Sequence, residues 1–299
     1  MPAQPAFARR GRQLQPGQRA ELTIINADGS GRQVLFTADE IIEAPNWTAD
    51  GALIFNAGGE LWRLPADGSG EPQRLDTGHL HDLNNDHVLS PDGKTIYVSS
   101  DDSHLYAMPI GGGEPRRISN DHPERHHYYL HAVSPDGTTL AYTGVNTRDG
   151  NRWGYVNIWT IPAAGGPDTQ LTDSIPPDDG AEYTPDGQWI WYNSEAASPG
   201  HAQLFRMRAD GTEQTQITFD ERVNWFPHFS PDGHHIVYLS YPPGTAGHPA
   251  DKAVILRYMQ PDGSGQRDIV AFNGGQGTIN VNSWAPDNAR FAYVAYPLD

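Results

Sequence analysis

Six times along the chain a short segment ends in the same tight turn: Trp47-Thr48-Ala49-Asp50-Gly51, Leu89-Ser90-Pro91-Asp92-Gly93, Val133-Ser134-Pro135-Asp136-Gly137, Tyr183-Thr184-Pro185-Asp186-Gly187, Phe229-Ser230-Pro231-Asp232-Gly233 and Trp284-Ala285-Pro286-Asp287-Asn288. The Asp positions are separated by 42, 44, 50, 46 and 55 residues. Pro presets its own φ, Asp bonds amides ahead of it, and Gly or Asn tolerates positive φ, so each copy reads as a turn between antiparallel strands. Alternating or β-branched runs follow the turns, as in Thr95–Ser99, Trp189–Tyr192 and His235–Leu239. A turn recurring at this period marks a repeat architecture.

A second repeat is interleaved with the first. Apolar-alternating segments enter another Gly-rich turn at Leu22–Gly29, Leu61–Gly68, Leu105–Gly112, Ile158–Gly165, Leu204–Gly211 and Leu256–Gly263, and short strands such as Gln73–Leu75, Arg117–Ser119 and Gln216–Thr218 follow. One period therefore holds four strands, A to D from the axis outward, and the predicted fold is all-β: a six-bladed β-propeller of four-stranded antiparallel blades. The chain begins with a C–D pair and ends with an A–B pair. Closing the ring then requires residues near 20–37 to pair with residues near 279–296, which covers edges otherwise left open.

Composition agrees with short strands and tight turns. The 32 Gly and 25 Pro exceed what long helices tolerate, while 37% apolar and 10% aromatic residues supply a sizeable core. With 37 acidic and 20 basic residues the net charge is −17, which opposes nucleic acid and anionic membranes as partners. No apolar run reaches membrane-spanning length, and residues 1–19, without a core pattern, are expected to form a flexible tail before a single domain over 20–299. The absence of Cys excludes disulfides and thiolate metal sites. The sequence as it stands reads as cytoplasmic, or as periplasmic or secreted if a signal peptide has been removed.

The aromatic or aliphatic-Ser-Pro-Asp-Gly turn followed by the Asp-Gly turn resembles the TolB-like propeller repeat family, over about nine-tenths of the chain. The resemblance implies the six-bladed fold. It implies little about activity, because relatives include the Tol-Pal scaffold protein, propellers attached to serine peptidases, and carbohydrate lyases. TolB itself carries a further N-terminal domain that is not recognisable here, which points to another role. A Gly-x-Ser-x-Gly elbow is also missing, Gly111-Gly112-Gly113 is a C–D turn, and Asn46-Trp47-Thr48 matches a glycosylation acceptor by chance.

Strand order sorts the loops. The Pro-Asp-Gly and Asp-Gly turns share one face, and the D–A connections and B–C loops share the other, which carries long insertions at Gly144–Tyr155, Asn193–Gln203 and Ser240–Lys252. Of the 13 His residues, 11 map to the long-loop side and only His234 and His235 to the short-turn side. The opening positions of the A strands read Asp86-His87, His131, Glu182, His228 and Asn282, presenting imidazole, carboxylate and amide groups toward one axis. Such a set suits a divalent metal of the Mn, Ca or Zn type, or acid–base chemistry on a sugar. Trp225 and Phe226 can stack on sugar rings, His248, Lys252 and Arg257 can hold a carboxylate or stabilise an enolate, and the Gly274–Thr278 segment carries Gln276 toward a ligand.

A weaker resemblance, to propeller carbohydrate lyases such as oligogalacturonate lyase, implies a divalent ion bound by His and Gln side chains and a basic residue that abstracts a proton beside a carboxylate. The chain departs from those lyases in having six blades instead of seven and no Gln-x-x-His-x-His cluster, so roles follow position, not motif. The expectation is a metal-assisted carbohydrate lyase acting by β-elimination on a neutral or singly charged oligosaccharide or keto-sugar. His131, His228 and Glu182 are the expected metal ligands, His87 or Lys252 the base, Arg257 its helper, and Asp86, Trp225, Phe226, His248, Gln276 and Asn282 the substrate contacts. The alternatives are a non-catalytic TolB-like scaffold for a protein or peptide and a sugar-binding module without turnover.

Overall fold

The computed structural model describes residues 7, 11–146 and 154–298; part of the Gly144–Tyr155 insertion therefore lies outside the described residues. Five blades each hold four antiparallel strands in A-B-C-D order, with strand A on the axis. The A strands are Ile42–Trp47 in blade 1, Leu83–Leu89 in blade 2, His126–Val133 in blade 3, Asp178–Tyr183 in blade 4 and Val223–Phe229 in blade 5.

Each Ser/Thr-Pro-Asp-Gly turn is locked by its own side chains. The hydroxyls of Thr48, Ser90, Ser134, Thr184 and Ser230 donate to the Asp two residues on, each at 2.6 Å. The same hydroxyls accept from the first amides of strand B, as Ser90 does from Thr95 N at 2.9 Å. In the sixth copy Ala285 has no hydroxyl, and Asn288 takes the left-handed conformation at φ 62° where Gly stands in the others.

Packing explains the loss of simple alternation in the B strands. Both faces of Ala52–Ala57 and Ile236–Tyr241 are buried, because each blade packs on two neighbours. The ring of Trp191 in blade 4 meets Phe229 in blade 5 edge-on at 5.3 Å. The D strands of the first four blades are two residues long, and Gln73–Arg74 and Arg116–Arg117 are exposed, so the outer edges are short and polar.

The ring closes as the order of repeats requires. Ala20–Asn26 lies between Gln33–Ala38 and Arg290–Ala295, with Glu21 opposite Ala295 and Asn26 opposite Arg290. This sixth sheet has three regular strands, not four. Its innermost segment follows the last strand through Val294 N to Thr278 O at 3.1 Å, Ala292 N to Ser283 O at 3.0 Å and the Trp284–Phe291 bridge. Gly277, at φ 88°, brings the backbone against Tyr296 Oη and Glu43, where a Cβ would sit 2.4 Å from the phenol oxygen.

Within the stretch expected as a flexible tail over 1–19, described residues at Phe7 and over 11–19 make specific contacts. Phe7 is buried edge-on against Trp62 at 4.8 Å, with Phe36 and Phe55 at 6.1 and 6.4 Å. Arg12 lies over the Tyr296 ring at 4.2 Å, and Gln18 Nε2 donates to Asp251 at 2.6 Å and to Tyr296 O at 3.1 Å. A sequence without periodicity hides such contacts, since single anchors, not a repeating face, hold the segment down. Among the described residues no helix is long and apolar enough to cross a membrane.

Candidate active site

Every regular A strand carries a register shift in its pairing with strand B. In blade 4 Asp179 faces Asn193 and Glu182 faces Trp191, so Gly180 and Ala181 together oppose Tyr192. Such a β-bulge cancels the alternation of the strand and lets residues three apart face the same side. Ala44, Gly180 and Phe226 occupy matching bulge positions with φ of 52°, 67° and 53°. A Cβ on Gly180 would meet Asn193 Oδ1 at 2.4 Å, so the closest of these bulges takes the residue without one.

The bulges divide the channel into two compartments. The one at the long-loop face, about 490 Å³, is walled by Tyr129, Val145, Val156, Trp225 and Phe226, and Asp86, His131, Asp179, His248 and Gln276 converge on it. Asp179 is its centre. Its Oδ1 accepts from Thr143 Oγ1 at 2.6 Å, Gly180 N at 2.7 Å and His131 Nε2 at 3.0 Å, and Oδ2 stands 3.5 Å from His248 Nε2. His248 Nδ1 donates to Gln276 Oε1 at 2.6 Å, and Asn280 donates to the same oxygen at 3.1 Å.

The charge states follow from these contacts. Burial opposes ionisation of Asp179, but hydrogen bonds and charge from His131 and His248 outweigh it and hold the carboxyl well below its usual range. Burial likewise disfavours charge on His131, yet the bond to Asp179 and the charges of Asp179 and Asp86 push it up to about 9. Asp86 is raised to about 7, first by burial, with Asp179 adding to the rise and His131 opposing it. Asp86 Oδ1 has no hydrogen-bond partner among the described residues. The compartment therefore holds a fixed imidazolium–carboxylate pair and, beside it, a carboxyl able to give or take a proton near neutral pH.

The other expected site residues fall elsewhere. Glu182, Asn282 and His131 also line a second compartment, of about 460 Å³, on the Pro-Asp-Gly side. Glu182 accepts from Asn282 Nδ2 at 2.6 Å, and His228 stands behind it with Nδ1 3.5 Å from Glu182 Oε2. His87 is fully buried against Ile54 O at 3.4 Å, and burial pulls it down to about 4. Lys252 is exposed at the start of strand C of blade 5, and Arg257 is held by Asp220 at 2.5 Å and Asp268 at 2.9 Å. Trp225 and Phe226 are both buried; they wall the first compartment while packing in the core between blades 5 and 6.

The metal set expected from the sequence does not converge. His131 spends Nε2 on Asp179, His228 spends Nε2 on Ile279 O at 2.6 Å, and Asn282 occupies Glu182 Oε1. Among the described residues no group of three or more His, Cys, Asp or Glu is disposed to hold an ion. Asp179, Thr143 and Asn280 escape the sequence reading. The Asp178-Asp179-Gly180 sequence holds the available signal, a carboxylate before a residue free to adopt the bulge.

Fold and cavity together define a six-bladed propeller with an axial cavity at its long-loop face. A family model for the TolB β-propeller domain matches residues 131–251. An uncharacterised protein of Agrobacterium fabrum is 37% identical over 93% of this chain and 92% of its own length. A solved structure from Agrobacterium tumefaciens, provisionally assigned as TolB, superposes with a TM-score of 0.85 at 35% identity over 97% of this chain and 100% of that one. The chain belongs to the TolB-like β-propeller family. The Tol-Pal system protein TolB of Francisella tularensis is 25% identical over 91% of this chain, which spans 61% of that protein's length. An oligogalacturonate lyase in complex with manganese shares the fold alone, with a TM-score of 0.56 at 15% identity over 88% of this chain and 75% of that one.

Proposed function

We propose that the chain is an acid–base enzyme acting on a neutral or singly charged oligosaccharide or keto-sugar, a lyase working by β-elimination in the long-loop compartment. The observation that carries this reading is Asp86, a buried carboxyl lining a largely apolar cavity, set beside the His131–Asp179 pair. Ionised Asp86 would take the proton from the carbon next to a carbonyl or carboxylate. As that C–H bond breaks, the C=C bond forms and the bond to the β-oxygen breaks. The carboxyl then returns its proton to the leaving oxygen, so Asp86 is regenerated and the products are an alcohol and an unsaturated sugar. His131, charged and fixed by Asp179, would offset the negative charge on the enolate oxygen. The walls of Tyr129 and Trp225 suit the apolar face of a pyranose.

No step runs through a metal, because the expected ligands point into different contacts. The overall charge of −17 disfavours polyanionic substrates, which supports short or weakly charged ones. The test is a screen of oligosaccharides and keto-sugars for the ultraviolet absorbance of a conjugated double bond. Activity should fall about 10²–10⁴-fold in Asp86→Asn. Undiminished turnover in that variant would remove Asp86 from the chemistry. A second reading, a scaffold binding a protein or peptide, is favoured by the similarity to Tol-Pal system TolB along 91% of the chain. A protein partner retained by both Asp86→Asn and Asp179→Asn, with no turnover by wild type, would select it.

A further inference from the structure

The second compartment lies toward the opposite end of the channel; it shares His131 with the proposed active site, but its Glu182 takes no part in that chemistry. The Pro of five repeat turns, Pro91, Pro135, Pro185, Pro231 and Pro286, rings its mouth, and Trp47, Tyr183, Phe229 and Trp284 form its inner wall. At its floor is Glu182, whose side chain is 9% exposed; His228, 3% exposed, stands behind it and does not line the cavity.

Their hydrogen bonds leave a specific gap. His228 Nε2 is 2.6 Å from the carbonyl oxygen of Ile279, an acceptor only, so Nε2 carries the hydrogen. Nδ1 has no hydrogen-bond partner among the described residues, but it is sealed from solvent and His228 does not line the cavity. Asn282 fills Glu182 Oε1, while Oε2 accepts no hydrogen bond from the described residues and stands 3.5 Å from His228 Nδ1. Glu182 Oε2 is therefore the acceptor left at the cavity floor. A nitrogen bearing several hydrogens fits there, at about 2.9 Å from that oxygen.

The surroundings select a positive donor. The six turn carboxylates, Asp50, Asp92, Asp136, Asp186, Asp232 and Asp287, encircle this face, all held below the usual carboxylate range and hence ionised. Arg63, Lys94 and Arg290 offset three of them, at 2.7, 3.5 and 2.8 Å. Clefts lined by one sign of charge concentrate ions of the other, and aromatic faces attract cations further.

We infer that the short-turn end of the channel is a binding site for a primary alkylammonium group, which enters between the prolines, lays its stem on Trp47 and Trp284, and donates to Glu182. The group can belong to a free amine or to a lysine side chain. Calorimetric titration of the full chain with hexylammonium should show saturable binding, and hexanol, of matching shape but neutral, should bind at least about tenfold more weakly. Glu182→Gln should lose at least about tenfold, whereas Asp86→Asn, at the other end, should bind the amine within about twofold of wild type. If Glu182→Gln does not fold, wild type alone decides: hexylammonium should shift the indole resonances of Trp47 and Trp284 and leave that of Trp225 in place. Equal binding of hexanol, full retention by a folded Glu182→Gln, or a shift confined to Trp225 would overturn the inference. Tighter binding of N-acetyl-lysine methylamide than of hexylammonium assigns the site to a lysine side chain, and the reverse order to a free amine.

Discussion

Replacing Asp179 by Asn isolates the charge at the centre of the proposed active site while keeping its shape. The rise of His131 from 6.5 to about 9 corresponds to about 3 kcal/mol of preference for its charged form, at about 1.4 kcal/mol per pH unit. His131 is 5% exposed and Asp179 14%, so solvent screening removes little of this. The sign runs two ways. His131 is raised, so its contribution is complete below its unfolded value of about 6.5 and fades as pH rises through about 9. Asp179 is depressed, so its contribution is present above about 3.8 and is lost as pH falls through its folded value. The pair therefore stabilises the fold most between about pH 4 and 6.5 and progressively less up to 9. Unfolding entropy of about 2 cal/mol/K per residue, over 299 residues, converts about 3 kcal/mol into a fall in Tm of about 5 °C at pH 6. Thermal unfolding followed by circular dichroism should show that gap at pH 6 and most of it gone by pH 10. The ring-proton signal of His131 should titrate near 9 in wild type and at lower pH in the variant, because Asp86 is then the one carboxyl left to oppose burial. An unchanged Tm at pH 6, or a gap as large at pH 10, would refute the pairing as the source of the charge.

Asp86→Asn should cut turnover about 10²–10⁴-fold yet stabilise the protein at pH 8 by about 2–4 kcal/mol, because a carboxyl raised from 3.8 to about 7 costs stability increasingly as pH rises between those values; equilibrium urea unfolding at pH 4 and 8 should show nearly all of the gain at the higher pH. The pH profile of kcat/KM should rise with a limb near 7 as Asp86 ionises and fall with a limb near 9 as His131 loses its proton, and a chelator should leave it unchanged. Phe7→Ala should cost about 3–5 kcal/mol in the same unfolding assay, since its ring is buried among Phe36, Phe55 and Trp62. Deleting residues 20–37 removes two of the three regular strands of the closing blade and should leave no cooperative thermal transition.

The fold was legible because its determinants are local and repeated. A Ser or Thr hydroxyl locked on an Asp two residues on, with Gly to follow, needs no tertiary partner, and six copies at near-equal spacing fix the number of blades. Closure was legible too, since a chain that starts on a C–D pair and ends on an A–B pair has one way to cover both edges. The site was legible only in part. Asp86, His131, Trp225, Phe226, His248 and Gln276, all picked out in the sequence, line one compartment. Glu182, Asn282 and His228 belong with the other end, and Asp179 was missed, because a β-bulge in each regular A strand resets which side chains face the axis. Whether a bulge falls before or after a given residue depends on the neighbouring blade, as Asn193 and Phe226 crowding Gly180 show. The same holds for residues 7 and 11–19: Phe7, Arg12 and Gln18 are bound by partners 29 to 284 residues away, and no local pattern in the chain announces them.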